Sequence, residues 1–262
     1  MTSPLLHITT AGPVARVTLN RPEVRNAFNE GLIAELTAAF TELGQREDLR
    51  AIVLAAEGKA FCAGADLNWM QAFGRYSWDE NHADATKLAD MLWAIYACPV
   101  PVVARVQGDV YAGGVGLAAC ADVVVAVDSA GFCLSEARLG LLPATIAPYV
   151  VRALGEQASR RYFVTAERFS AAEARRLGLV HEVVAADALD ATVAELVAAI
   201  TANGPAAARA CKRLVKDVAG REVTPALRDD TARRIADIRA SAEGREGVRS
   251  FLNKTRPAWQ QP

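Results

Sequence analysis

The sequence lacks the means for a disulfide framework. Its five cysteines, Cys62, Cys98, Cys120, Cys133 and Cys211, are odd in number, and no two share a C-x-x-C spacing. A zinc site is disfavoured for the same reason, and the expectation is reduced thiols, most of them small core residues. Charge of one sign is also missing: 29 Lys and Arg face 30 Asp and Glu, for a net charge of −1. Nothing general therefore pulls the chain toward nucleic acid or an anionic membrane. No window holds the roughly 18 unbroken apolar residues of a spanning helix. The opening MTSPLLHITTAGP has no basic segment leading into an apolar one, so a cytoplasmic protein free of the membrane is expected. The glycines spell neither G-x-x-x-x-G-K-[ST] nor G-x-G-x-x-G, and a phosphate cradle is set aside. His7, His82 and His181 stand at no metal-ligand or triad spacing, so no metal is expected.

What is present is a 262-residue chain, 52% hydrophobic, long enough for a sizeable core. Short β-branched runs recur at Ala15 to Leu19, Ala51 to Ala55, Val100 to Val106 and Asp122 to Val127. Continuous apolar runs of this kind suit strands covered on both faces. Helical patterns lie between them. Asn29 to Leu43 sets Leu32, Leu36, Ala39, Phe40 and Leu43 on one face, with Asn29 as N-cap and Gly44 as C-cap. Thr86 to Ala97 repeats the design with Leu88, Leu92 and Ile95, and Pro99 and Pro101 stop it.

Beyond Arg152 helix signals dominate. Ser170 with Glu173 forms a capping-box pattern, and Gly178 is placed to end that short helix. Leu189 to Ile200 and Pro225 to Ser241 read as amphipathic helices, and KTRPAWQQP as a surface tail. Trp69, Trp78 and Trp93 read as aromatic core. Arg209, Lys212, Arg213 and Lys216 read as a solvated helix face. The expected fold is α/β, a strand-rich body in which strand-strand-helix units recur, followed by a helical C-terminal portion.

Three stretches have the makings of a reaction site, and each has a plainer reading beside it. Gly108 to Asp122, GDVYAGGVGLAACAD, carries four glycines among alanines, valines and a cysteine, with no charge between its two aspartates, and can serve tight packing. A helix beginning near Gly114 would also leave the Gly113 amide free to meet a developing negative oxygen. Lys59 to Met70 ends a strand in a small-residue turn, Cys62 to Ala65, before Asp66. That turn is either a simple connection with Asp66 as N-cap or a second place for backbone donors. In Ala130 to Pro143, Glu136 sits among Phe132, Leu134, Leu139 and Leu141. Such a carboxyl has its charged form disfavoured, which suits proton transfer at neutral pH; the alternative is a surface pair with Arg138.

In order and spacing these blocks resemble the crotonase, or enoyl-CoA hydratase/isomerase, superfamily. The match runs through LNRPEVRNAFN, GKAFCAGADLNWM, VQGDVYAGGVGLAACADVVVA, FCLSEARLGLLP, AAEARRLGLVHEVV and SAEGREGVRSFLNKTRPAW, nearly the whole chain. The resemblance implies a crotonase-type spiral of ββα units over residues 1–195. It implies a helical trimerisation region over residues 196–262, in a homotrimer or dimer of trimers. The partner implied is an acyl-CoA thioester, with coenzyme A part of the substrate and no separate cofactor. Carried over, the amides of Ala65 and Gly113 hold the thioester oxygen, and Ala63, Ala65, Asp66 and Leu67, with Asn68 beside them, contact the adenine side of coenzyme A. Val24, Arg25 and Ala27 line the pantetheine and phosphate channel, and Phe251 and Lys254 reach a neighbouring subunit's coenzyme A. Tyr111, Tyr76 and Arg138 are candidates to meet a distal substrate carboxylate.

The chain departs from the family pattern at one position. Hydratases of the family commonly carry one glutamate three residues after the oxyanion glycine and another twenty residues later; here these positions hold Gly116 and Glu136. A single carboxylate fits an enoyl-CoA isomerase, which moves a proton from C2 to C4. The text FCLSEARLGLLPATIAPYVVRALGEQASRRYFVTAERF resembles instead the methylglutaconyl-CoA hydratase branch of bacterial leucine and acyclic terpene breakdown. The expectation is syn hydration of a 3-methylglutaconyl-like enoyl-CoA with Glu136 as the single acid and base. An acyl-CoA-binding homologue without catalysis is the remaining alternative.

Overall fold

The computed structural model describes residues 4–260. The first turn of the chain is β1 (Leu6–Ala11), β2 (Val14–Leu19) and α1 (Glu30–Gln45). The second is β3 (Ala51–Ala56), β4 (Ala60–Cys62), α2 (Leu67–Phe73) and α3 (Trp78–Tyr96). The third is β5 (Val102–Val106), β6 (Asp109–Tyr111) and α4 (Gly113–Ala119). The fourth is β7 (Val123–Val127), β8 (Gly131–Cys133), α5 (Ala147–Leu154) and α6 (Glu156–Thr165). Then follow β9 (Arg168–Ser170), α7 (Ala171–Leu177), β10 (Glu182–Val184), α8 (Leu189–Thr201), α9 (Pro205–Val218), α10 (Pro225–Ala240) and α11 (Ala242–Leu252).

The strands sort into a six-stranded sheet, β1-β2-β3-β5-β7-β10, and a four-stranded sheet, β4-β6-β8-β9. From the second turn onward, the first strand of each turn joins the larger sheet and the second joins the smaller one. That alternation is the ββα spiral. All six residues of β3 are buried, as a parallel strand with both faces covered requires. The chain divides into two compact units, one ending at Glu195 and the other starting at Leu196.

Local chemistry explains most element ends and several departures from the sequence reading. Asn29 caps α1 by accepting the Leu32 amide at 2.8 Å, but Gly44 does not end the helix, which runs on to Gln45. Its missing side chain serves packing: a Cβ there would stand 3.1 Å from the Pro99 ring. The helix read as Thr86 to Ala97 begins eight residues earlier because Ser77 and Glu80 form a complete capping box. Trp69 is buried and donates to Asp84 at 3.2 Å. Trp78 and Trp93 are 75% and 52% exposed and are not core residues; Trp78 stacks on His82 instead. Cys62, Cys98, Cys120 and Cys133 are buried and Cys211 is exposed, and none of the five is in a disulfide among the described residues.

Within the second unit, Glu243 of α11 accepts the Ala206 and Ala207 amides, both at 2.9 Å, and so caps α9 from outside it. Arg234 of α10 pairs with Asp217 of α9 and with Asp230 one turn back. The segment read as a surface tail is mostly exposed and is also tied down: the Ala258 amide donates to Glu246 at 2.6 Å, and Gln260 donates to the Ala202 carbonyl at 2.7 Å. Gln261 and Pro262 lie outside the described residues.

Candidate active site

Strands β4, β6 and β8 are parallel neighbours, with Cys62 opposite Val110 and Tyr111 opposite Cys133. Adjacent strands lie about 4.8 Å apart, so their three carboxyl ends stand side by side. Ala65 follows the end of β4 by three residues, Gly113 follows β6 by two, and Glu136 follows β8 by three. Carboxyl ends of parallel strands are where such sheets receive ligands, because the chain turns away there and leaves backbone groups open. The structure thus brings the two candidate donors and the candidate base to one edge.

The Ala65 amide is aimed by its neighbours. Phe28 forms a parallel bridge with Ala65: the Phe28 amide donates to the Gly64 carbonyl at 2.6 Å, and the Asp66 amide donates to the Phe28 carbonyl at 2.8 Å. In such a bridge the flanking residues hold the partner, so Ala65's own N–H faces the opposite side. Gly64, at φ +85°, permits this turn, and a Cβ on it would meet the Ala112 methyl at 2.8 Å and stand 3.6 Å from the Gly113 nitrogen. The two donor loops are therefore in contact.

Ala112 has φ 47° and ψ −121°, a conformation that alanine rarely adopts. It is held there by its amide, which donates to the Cys133 carbonyl at 2.8 Å, and by its carbonyl, which accepts the Val115 amide at 2.9 Å. The turn leaves the Gly113 amide at the open start of α4. Neither the Ala65 nor the Gly113 amide donates to an acceptor among the described residues.

Glu136 opens a 3-10 turn, Glu136–Leu139. Burial raises its pKa above the ordinary value of a glutamate, and a backbone hydrogen bond acts against that. Its Oε2 is buried and has no hydrogen-bond partner among the described residues. The alternative surface pair does not form, since Arg138 donates to the Ala166 carbonyl at 2.6 Å. A carboxyl that is poised to hold a proton, with one oxygen buried and unpartnered, is suited to general acid and base work.

Gly116 lies one turn beyond Gly113 on α4, and its bareness is enforced. Any Cβ there would fall inside the side chain of Ile146, which is 1% exposed and immediately precedes α5. No side chain of any kind fits while Ile146 stays. Ile146 went unassigned in the sequence reading, although it stands in the PATIAPYVV segment that carries the branch resemblance.

The remaining candidates are scattered in role. Asp66 is buried, and both carboxylate oxygens are engaged, one by Arg21 and one by the Asn68 amide at 2.8 Å. Burial alone would raise its pKa, but Arg21 and the amides of Asn68 and Trp69 outweigh it and hold the group low. Its side chain caps α2 and pairs with Arg21. Leu67 and Asn68 are exposed, Ala63 and Ala65 half-buried, and Ala27 buried. Val24 ends the 3-10 turn Pro22–Val24, and Arg25 follows it in the left-handed region at φ 53°. Tyr111 ends β6, whereas Tyr76 donates to Glu30 at 3.3 Å. Phe251 and Lys254 belong to the second unit, Phe251 83% exposed and Lys254 at φ 57°. Among the described residues no cluster of three His, Cys, Asp or Glu could hold a metal, and no helix is long and apolar enough to cross a membrane.

A family described as enoyl-CoA hydratase/isomerase matches residues 9–262. The chain is 34% identical over 259 residues to an enoyl-CoA hydratase of Alternaria alternata, covering 96% of this chain and 82% of that one. Among solved structures it is similar to an enoyl-CoA hydratase of Shewanella pealeana, with TM-score 0.94 and 39% identity over 97% and 96% of the two chains. A Legionella pneumophila protein assigned to the enoyl-CoA hydratase/isomerase (crotonase) group gives TM-score 0.94 and 40% identity over 99% of this chain and all of that one. The chain belongs to the enoyl-CoA hydratase/isomerase family, the crotonases.

Proposed function

We propose that this enzyme of the enoyl-CoA hydratase type adds water across the 2,3 double bond of a branched, 3-methylglutaconyl-like enoyl-CoA. The observation that carries the reading is the side-by-side carboxyl ends of β4, β6 and β8, followed by two amides with no acceptor among the described residues and by a half-buried carboxyl whose Oε2 is buried without a partner. As water attacks C3, the thioester oxygen gains enolate charge, and the amides of Ala65 and Gly113 stabilise it. Each such donor is worth about 3 to 4 kcal/mol in the transition state. Glu136 takes one proton from the attacking water and returns it to C2, so the C3–O and C2–H bonds form on one face from a single water molecule. Syn addition follows from having one carboxylate for both transfers.

The branched substrate rests on the segment from Phe132 to Phe169 and its resemblance to the methylglutaconyl-CoA hydratase branch. Exposed Val248, Phe251 and Leu252 on and beside the last turn of α11 support a homotrimer or dimer of trimers. Coenzyme A enters as part of the substrate, with no separate cofactor, in a cytoplasmic enzyme. A second reading, proton transfer from C2 to C4 in an isomerase, is favoured by one observation: Ile146 closes the place of a second carboxylate.

The two readings separate on a panel of crotonyl-, 3-methylcrotonyl-, 3-methylglutaconyl- and 3-enoyl-CoA followed by conjugated-thioester absorbance. Hydration is expected to bleach the absorbance, with 3-methylglutaconyl-CoA giving the highest kcat/KM. Activity confined to 3-enoyl-CoA, seen as a gain of absorbance, overturns the hydratase reading in favour of the isomerase.

A further inference from the structure

Residues 25–28 and 63–66 run side by side as a short parallel ladder. The Ala63 amide donates to the Arg25 carbonyl at 3.0 Å, and the two bonds of Phe28 to Gly64 and Asp66 continue it. Arg21 reaches both rails: Nη1 donates to the Ala27 carbonyl on one, and Nη2 to the Asp66 carboxylate on the other at 2.8 Å. The pair is desolvated, with side-chain exposures of 11% for Arg21 and 6% for Asp66.

Arg21 is itself fixed. Its amide donates to Asn26 Oδ1 at 2.9 Å, and its carbonyl accepts the Asn26 amide at 2.8 Å. Asn26, fully buried at φ 56°, spends both side-chain N–H groups on the carbonyls of Glu57 and Ala60. Ala60 starts β4, the strand whose far end leads to Ala65. The clamp is thus anchored to the same strand that it steadies.

We infer that Arg21 is a positioning residue for the Ala65 amide, holding the Phe28–Ala65 bridge in the register that turns that N–H toward the substrate. The proposal rests on reading Ala65 as a donor to the thioester oxygen. A guanidinium presents its N–H groups in a rigid planar fork and can serve two acceptors on two segments at once, which a lysine ammonium on a flexible stem does poorly. Removing the fork leaves the buried Asp66 charge unpaired and frees the loop. A donor displaced by about 1 Å loses much of its effect on the transition state.

The test uses Arg21→Met and Arg21→Lys in the full-length protein, with two readouts. One is the steady-state kinetics of hydration; the other is the absorption of bound cinnamoyl-CoA, which shifts to the red when its carbonyl oxygen is hydrogen-bonded. Arg21→Met is expected to lower kcat about 10- to 100-fold with KM little changed, and to shrink the red shift. Arg21→Lys is expected to show the same pattern in milder form, and it carries the test should Arg21→Met fail to fold. Wild-type kcat and red shift in a folded variant overturn the proposal, as does a rise in KM alone. Cinnamoyl-CoA bound to wild type without any red shift would refute the donor reading of Ala65 and this proposal with it.

Discussion

Glu136→Gln is expected to lower kcat for hydration on the order of 10³-fold, to leave binding of a saturated acyl-CoA unchanged, and to raise the melting temperature at pH 8. The amide has nearly the shape of the carboxyl, so the pocket keeps its form, but it cannot take a proton from water. Retained turnover would remove Glu136 from the mechanism. The stability gain follows from burial, which lifts the folded-state pKa of Glu136 above its unfolded value. Stability tied to that group is full below the ordinary carboxylate range and is lost as pH rises through the folded pKa. Glutamine has no such loss. The two proteins should therefore melt together in acid and diverge toward neutral pH, which thermal scans across pH would show.

The same shift sets the wild-type rate profile. In the proposed reaction Glu136 has to be ionised to accept a proton from water, so kcat/KM should fall on the acid side with a midpoint above the ordinary value of a glutamate. The midpoint should vanish in Glu136→Gln. An acid limb at the pKa of a free glutamate would contradict the desolvation of this half-buried carboxyl.

The second large effect is expected at Gly116. Gly116→Ala should destabilise the fold by about 1 to 3 kcal/mol, because the new methyl group has to displace Ile146 from a filled site. Ile146→Ala would not relieve the clash, since the added Cβ also meets the Cβ of Ile146. Ile146→Gly would, at the expense of a cavity where a buried side chain stood. A double-mutant cycle on denaturant midpoints should give a favourable coupling of about 0.5 to 3 kcal/mol between the two changes. Strict additivity would show that the pair does not interlock.

Much of this was legible in the sequence, but unevenly. The five- and six-residue strands β2, β3, β5 and β7 announce themselves by β-branched runs, and α1 by its apolar face and Asn29. Strands β4, β6 and β8, which carry the site, are three residues each and too short for periodicity to reveal. Gly113 and Glu136 stood out because glycine clusters and an apolar-flanked glutamate are unusual, and the order of motifs drew Ala65 in beside them. Arg21 and Asn26 were in plain view in LNRPEVRNAFN, yet their partners Asp66, Glu57 and Ala60 are 31 to 45 residues away. Long-range side-chain bonds leave no local trace. Gly44 misled because a glycine near a helix end suggests a cap, whereas here it answers to the Pro99 ring across the packing interface.

The interlock of Gly116 with Ile146 also constrains descent. Glutamate lies within a point mutation of some glycine codons, but no isoleucine codon is that close to a glycine one. A glutamate that arrives at 116 while Ile146 stays meets a filled core. A larger residue at 116 is expected to need a smaller one at 146, so the order in which the two changes arrive matters to the fold.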